Sequence, residues 1–404
     1  MKNCQQMQAK TTNTQTGYKP KRFIKINFLK PILKFTFITL LVIVFVVTAN
    51  SLALTQNAIS ILGVTSNLED INSITGIDQG YENLPRFLAD VNGDTRADYC
   101  RFVGNSPDIY LSCNLATAFG FSTNQYGFNS ITGIDQGYEN LPRFLADVNG
   151  DTRADYCRFV GDTPNIYLSC NLAAASGFST NQYEFNSITG IDQGYENLPR
   201  FLADVNGDTR ADYCRFVGDP NIYLSCNLAT ASGFSTNQYE FNSITGIDRG
   251  YENLPRFLAD VNGDTRADYC RFVGDPNIYL SCNLATASGF STNQYEFNSI
   301  TGIDRGYENL PRFLADVNRD KRADYCRFVG DPNIYLSCNL ATASGFSTNQ
   351  YEFNSITGID RGYENLPRFL ADVNRDKRAD YCRFVGNTPN IFLSCDLATV
   401  SGFR

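Results

Sequence analysis

An all-β fold, a six-bladed β-propeller built from four-stranded blades, is predicted by this sequence on three observations. Residues 71–404 repeat six times in units of 56 or 57 residues, and residues 218–262 recur unchanged as 274–318 and 330–374. Each unit reads as short strands parted by turn residues, the content of one antiparallel blade. The two ends of the repeat region are complementary. A fourth-strand sequence, residues 71–77 (INSITGI), precedes the first unit, and the last unit stops at Arg404 with its fourth strand missing. Residues 71–77 are therefore expected to complete the last blade and leave no open edge.

The third unit shows the elements in order. Residues 200–205 (RFLADV) form a first strand, 206–210 (NGDTR) a turn, and 211–217 (ADYCRFV) a second strand with alternating faces. Residues 218–221 (GDPN) turn the chain into a third strand at 222–228 (IYLSCNL), and 240–247 (EFNSITGI) supply a fourth. If the hairpin turns about Pro220, Phe216 faces Leu224, Arg215 faces Ser225 and Cys214 faces Cys226. Directly opposed cysteines lie within disulfide reach. The pairs predicted this way are Cys100 with Cys113, Cys157 with Cys170, Cys214 with Cys226, Cys270 with Cys282, Cys326 with Cys338, and Cys382 with Cys395. Where the turn gains a residue, the cysteine spacing widens with it, as a cross-strand bond requires. The alternative is buried free thiols packing as small hydrophobes. Zinc is disfavoured by the absence of His and of any C-x-x-C.

Ahead of the repeats, residues 1–34 form a basic leader, 35–53 an uncharged apolar helix, and 54–70 a linker. The apolar run is a secretory signal or an uncleaved transmembrane anchor, and either places the repeats outside the cell or at its surface. Even cysteine pairing suits that oxidising location. The formal charge of −8 includes eight leader cations with no acid, so the remainder carries −16. A body that acidic repels phosphates and excludes a nucleic-acid partner. Contact with membrane is expected only through residues 35–53, if that segment is uncleaved.

The strongest chemical motif is D-V-N-G-D-T-R-A-D. Oxygen side chains at positions 1, 3, 5 and 9, with a main-chain carbonyl at 7, make half a cage for a hard cation such as Ca²⁺. The side chains concerned are Asp90, Asn92, Asp94 and Asp98, then Asp147, Asn149, Asp151 and Asp155, then Asp204, Asn206, Asp208 and Asp212, and then Asp260, Asn262, Asp264 and Asp268. The last two copies place Asp316, Asn318, Asp320 and Asp324, and Asp372, Asn374, Asp376 and Asp380, beside the added cations Arg319, Lys321, Arg375 and Lys377. Calcium is expected in the first four loops and is left open in these two. A plain hairpin turn is the competing reading, but it does not need three crowded aspartates.

On this motif the repeat region resembles the FG-GAP/VCBS repeats of integrin-α-like propellers, nearer to the bacterial type. The resemblance implies that the loop joins a blade's first two strands and holds calcium. It departs at the sixth loop position, where Thr95 stands in place of the usual glycine, and in lacking the Phe-Gly and Gly-Ala-Pro signatures.

A second candidate is the inter-blade connection Gln79-Gly80-Tyr81-Glu82-Asn83-Leu84-Pro85-Arg86, whose side chains could stack on and bond a sugar. The plainer reading makes it an ordinary loop with Arg86 paired to an aspartate. With no His, no nucleophile elbow and no diverging blade, the chain is expected not to be an enzyme. The leading expectation is an extracellular calcium-binding adhesion or carbohydrate- or ligand-recognition module, its partner a glycan or an extracellular protein. The alternative is a structural ectodomain stabilised by calcium and disulfides. A third reading is a non-catalytic part of a secreted enzyme system.

Overall fold

The computed structural model describes residues 70–404, and among them every regular element is a strand. The leader, the apolar segment 35–53 and the linker up to residue 69 lie outside the described residues. In the third blade the strands are Phe201–Ala203, Asp212–Val217, Tyr223–Asn227 and Phe241–Asn242, hydrogen-bonded in that order. Six such antiparallel sheets form, so the propeller and its blade count stand as expected.

Closure also follows the expectation. The sixth sheet is Phe369–Ala371, Asp380–Val385 and Phe392–Asp396, completed by Ile71–Asn72. Ile71 pairs with Cys395 and Asn72 with Ser394.

The register of the central hairpin is the one the cysteine spacing required, with Cys214 opposite Cys226, Arg215 opposite Ser225 and Phe216 opposite Leu224. All six predicted cysteine pairs are disulfides rather than free thiols. Cys100 is bonded to Cys113, Cys157 to Cys170 and Cys214 to Cys226. Cys270 is bonded to Cys282, Cys326 to Cys338 and Cys382 to Cys395. In every pair the Cα atoms stand 4.0 Å apart across the hairpin.

The outer strands are shorter than expected. Asp204 and Val205 leave the ladder to enter the following loop, where the Val205 amide donates to Asp212 Oδ2 at 3.1 Å. After Asn242 the fourth strand gives way to Ser243, whose hydroxyl accepts the Leu224 amide at 2.9 Å. The second strand differs in another way. All six residues of Asp212–Val217 are buried, including Arg215, so alternation does not produce a wet face. The cause is blade-on-blade packing. Leu198, Val205, Phe216 and Leu224 of blade three share one apolar cluster with Ala267, Tyr269 and Phe290 of blade four. Phe216 meets Tyr269 edge-on at 5.5 Å, and Tyr99 and Phe384 make the matching contact, at 5.4 Å, where the ring closes.

Strand direction sorts the connections onto two faces. The loop between strands one and two and the hairpin after strand three share one face, the loop face. The turn between strands two and three and the inter-blade connection share the other.

Candidate functional site

The six aspartate loops join the first two strands of each blade and are bonded to one another around the axis. Ala154 N donates to Asp90 O, and the same bond runs from Ala211 to Asp147, Ala267 to Asp204, Ala323 to Asp260 and Ala379 to Asp316, each at 2.7 Å. Ala97 N to Asp372 O, also at 2.7 Å, closes the annulus.

Within the first loop the predicted side chains are turned toward the loop's own amides. Asp90 Oδ1 accepts from Gly93 and Asp94, and its Oδ2 from Thr95 at 2.7 Å. Asn92 Oδ1 accepts the Asp94 amide, and Asp94 Oδ1 the Arg96 amide. Asp98 is fully buried and accepts from Ala116 through Oδ1 and from Val91 through Oδ2. The loop closes on itself because Thr95 adopts φ 71°, a positive value that a Cβ makes costly. The other loops repeat this pattern, with Arg319 and Lys321 at φ 71° and 72° and Arg375 and Lys377 both at 68°.

The donor type fits a hard divalent cation. Burial raises the Asp90 carboxyl, and it pushes Asp98 up to about 8, an environment in which a bound cation would favour the ionised forms. Two features compete with a metal. Each accepting oxygen already serves a backbone amide, and the Arg96 guanidinium holds Asp94 Oδ2 at 3.2 Å. Among the described residues no group of three or more His, Cys, Asp or Glu side chains stands at metal-binding spacing.

The opposite face carries a recurring groove. In blade one it is lined by Asp78, Gly80, Tyr81, Phe102, Val103 and Gly104, and the equivalent positions line grooves in blades two and four. Their volumes run from 200 to 280 Å³, the room of one sugar ring rather than a large ligand. A further 310 Å³ hollow lies between the connections of blades three and four, with Asp248, Arg249, Glu252 and Arg256 on its wall. The Tyr81 hydroxyl donates to Gly104 O at 2.6 Å, tying the connection to the turn. Glu82 and Asn83 are exposed. Arg86 does not pair with an aspartate; it donates to the carbonyls of Gln79 and Gly80 and so stiffens its own loop.

Behind the groove lies a cluster that the sequence did not single out. Arg101, fully buried, donates to the carbonyls of Asp78, Ser112 and Gln125 and to Gln125 Oε1. Its guanidinium stands between the rings of Tyr99 and Tyr126, at 5.5 and 5.0 Å. Burial lowers the Arg101 pKa, and the tyrosines and Asp78 oppose that shift. The Tyr126 hydroxyl donates to Asp78 Oδ2, on the groove wall, at 3.1 Å while 38% of the residue stays exposed. An arginine between Cys100 and Phe102 in mid-strand was the available signal.

Blade six departs here. The repeat's Gln-Tyr pair is replaced in the sequence before Ile71 by Leu68-Glu69, and Asn114 of blade one becomes Asp396. Among the described residues Arg383 donates to Asp396 Oδ1 at 2.5 Å. Burial pushes the Asp396 carboxyl up to about 6 against the pull of Arg383.

No family model matches this chain. It is 28% identical over 311 residues to the NAD(+)--arginine ADP-ribosyltransferase Chelt of Vibrio cholerae, an alignment over 76% of this chain and 46% of that protein. The chain thus spans about half the length of the curated relative it matches. A solved structure from Agrocybe aegerita, described as a lectin recognising non-reducing terminal N-acetylglucosamine, is similar with a TM-score of 0.43 and 19% identity, over 79% of this chain and 78% of that one. Similarity at that level does not transfer the lectin's ligand.

The first of these comparisons corrects the expectation of a non-enzyme. Most of the alignment falls on the repeats, because residues 1–70 are too few to hold it, and the relative is an enzyme by name. The expectation leaned on missing His and missing nucleophile motifs. Transfer from NAD(+) breaks a glycosidic bond through an oxocarbenium-like transition state, which carboxylates can serve without either.

Proposed function

We propose that this propeller is an extracellular recognition module of the FG-GAP/VCBS kind, binding saccharides in its repeated grooves and holding Ca²⁺ in its aspartate loops. The recurring groove carries the reading. An exposed tyrosine ring beside a fixed carboxylate offers a stacking surface and an acceptor for sugar hydroxyls, and the cluster on Arg101 holds both in place. Repetition around the ring supplies avidity for a surface of repeated sugars. Six disulfides suit an oxidising compartment.

In the first four blades Ca²⁺ would be held by Asp90, Asn92, Asp94 and Asp98 and their equivalents, cross-linking each loop to the start of its second strand. Arg96 must release Asp94 when the ion binds. The test of the groove is a glycan array probed with residues 68–404, followed by Asp→Asn at Asp78, Asp135, Asp192, Asp248, Asp304 and Asp360 together. Binding that survives all six changes, or no binding to any sugar, overturns the saccharide reading. Calcium is tested separately by thermal unfolding, where a bound ion raises the melting point by mass action. An unchanged melting point at millimolar Ca²⁺ removes it.

A second reading rests on the alignment with the ADP-ribosyltransferase: the chain takes part in ADP-ribosyl transfer. Incubation with labelled NAD(+) and agmatine, an arginine analogue, tests this, and ADP-ribosyl-agmatine is the product expected.

A further inference from the structure

Near-identical repeats make each departure conspicuous, and six of them stand on one side of the loop face. At the positions of Gly93 and Thr95, blade five has Arg319 and Lys321 and blade six has Arg375 and Lys377. All four are exposed, and none enters an ion pair among the described residues. All four also hold positive φ, and two of them do so where blades one to four use glycine. An L residue is strained there, while its amide donates to the loop's first aspartate, as Arg319 and Lys321 do to Asp316.

The charge balance follows these changes. Residues 192–247 carry three cations against seven acids, whereas residues 360–404 carry seven against six. Within the aspartate loops themselves, three aspartates stand against one arginine in each of blades one to four but against three cations in each of blades five and six, so the annulus is neutral over blades five and six and acidic elsewhere.

Apolar departures stand beside the basic ones. The hairpin after strand three has serine at its tip in five blades, Ser176, Ser232, Ser288, Ser344 and Ser401, but Phe119 in blade one. Phe119 is 98% exposed. The preceding position is alanine in five blades and Val400 in blade six, where it is 84% exposed. The hairpin of blade one lies against blade six, since a Cβ on Gly120 would stand 2.8 Å from Asn72 O. Blades five, six and one thus present four unpaired cations and two bare apolar side chains on the same face.

We infer that the loop face of blades five, six and one docks on an anionic lipid surface. The cations are drawn to charged headgroups, and Phe119 and Val400 enter the interfacial layer. A soluble polyanion would use the four cations alone and leave the apolar pair without a purpose. This surface is opposite the grooves and does not depend on them, so a docked propeller would leave its grooves facing away from the membrane.

The test is co-sedimentation of residues 68–404, a compact unit that closes on itself, with vesicles of phosphatidylglycerol and phosphatidylcholine. Leaving out the apolar segment 35–53 keeps its own lipid affinity from intervening. Binding should vanish on pure phosphatidylcholine and weaken as salt rises. The variant R319G/K321T/R375G/K377T restores the residues of blades one to four and so keeps the fold. It should bind at least about tenfold more weakly, as the loss of four cations dictates. Phe119→Ser with Val400→Ala should weaken binding about threefold while leaving the salt dependence unchanged. The inference is overturned if the fourfold variant binds vesicles as tightly as the parent. It is overturned equally if the parent is retained on heparin but ignores vesicles.

Discussion

The Ala97 amide, at the end of the first aspartate loop, donates to the Asp372 carbonyl in the last loop at 2.7 Å. That bond joins the two ends of the repeat array on one face. Ile71, paired with Cys395, joins them within the sixth sheet. The ring is held shut at two levels, the axial loops and the outer strand.

Closure through Ile71 is open to a direct test. Its side chain is 4% exposed and packs with Phe384 and Leu393 of the last blade. Ile71→Ala should cost about 3 kcal/mol by lost burial and a residual cavity. It should also favour association, by loosening the strand that covers blade six's edge. Urea unfolding and size-exclusion chromatography measure the two effects.

The disulfides join residues 12 or 13 apart in sequence, short enough to keep each blade's central hairpin in register. Cys214→Ala with Cys226→Ala should lower the unfolding free energy by about 3 kcal/mol through chain entropy. A loss well under about 1 kcal/mol would mean that the ladder alone holds the hairpin.

Two glycines with similar φ separate backbone cost from packing cost. Gly246 has φ +70° and nothing within 4 Å of an added Cβ, whereas Gly250 has φ +71° and would place Cβ 2.8 Å from Arg271 Cβ. Gly246→Ala should therefore cost about 1 kcal/mol, the left-handed penalty alone. Gly250→Ala adds an overpacking term and should cost about 3 kcal/mol. Equal losses would show that the connection can lift off Arg271.

Asp396 predicts a pH dependence. Its folded pKa, about 6, lies above the ordinary carboxylate value of 3.8, so the folded state binds the proton more tightly than the unfolded chain. Stability from this group is present at low pH and falls as pH rises from about 4 to 6, then stays level. In Asp396→Asn that component of the slope should disappear. The comparison is of slopes in calcium-free urea titrations, since the neutral side chain also weakens the contact with Arg383. An unchanged slope would place the proton elsewhere.

Much of the fold was legible because its determinants are local. The repeat period sets the blade, the turn about Pro220 sets the register that opposes Cys214 and Cys226, and the split fourth strand at Ile71 announces closure. The aspartate loops were legible for the same reason, since Asp90, Asn92, Asp94 and Asp98 lie within nine consecutive residues. The burial of Arg101 was not. Alternation along Asp98–Val103 suggests a wet face, and only a neighbouring blade packed on each side removes it.

What the chain alone determined is whatever neighbouring residues decide, namely strands, turns, cysteine register and the oxygen-rich loops. Tertiary structure decided which of these meet. It bonded the six loops into one annulus and brought Asp78 and Tyr126 together over Arg101. It also set Phe119 and Val400 on the same face as the cations of blades five and six. Those contacts join residues distant in sequence, and they form through the close packing of whole blades, for which no local pattern codes.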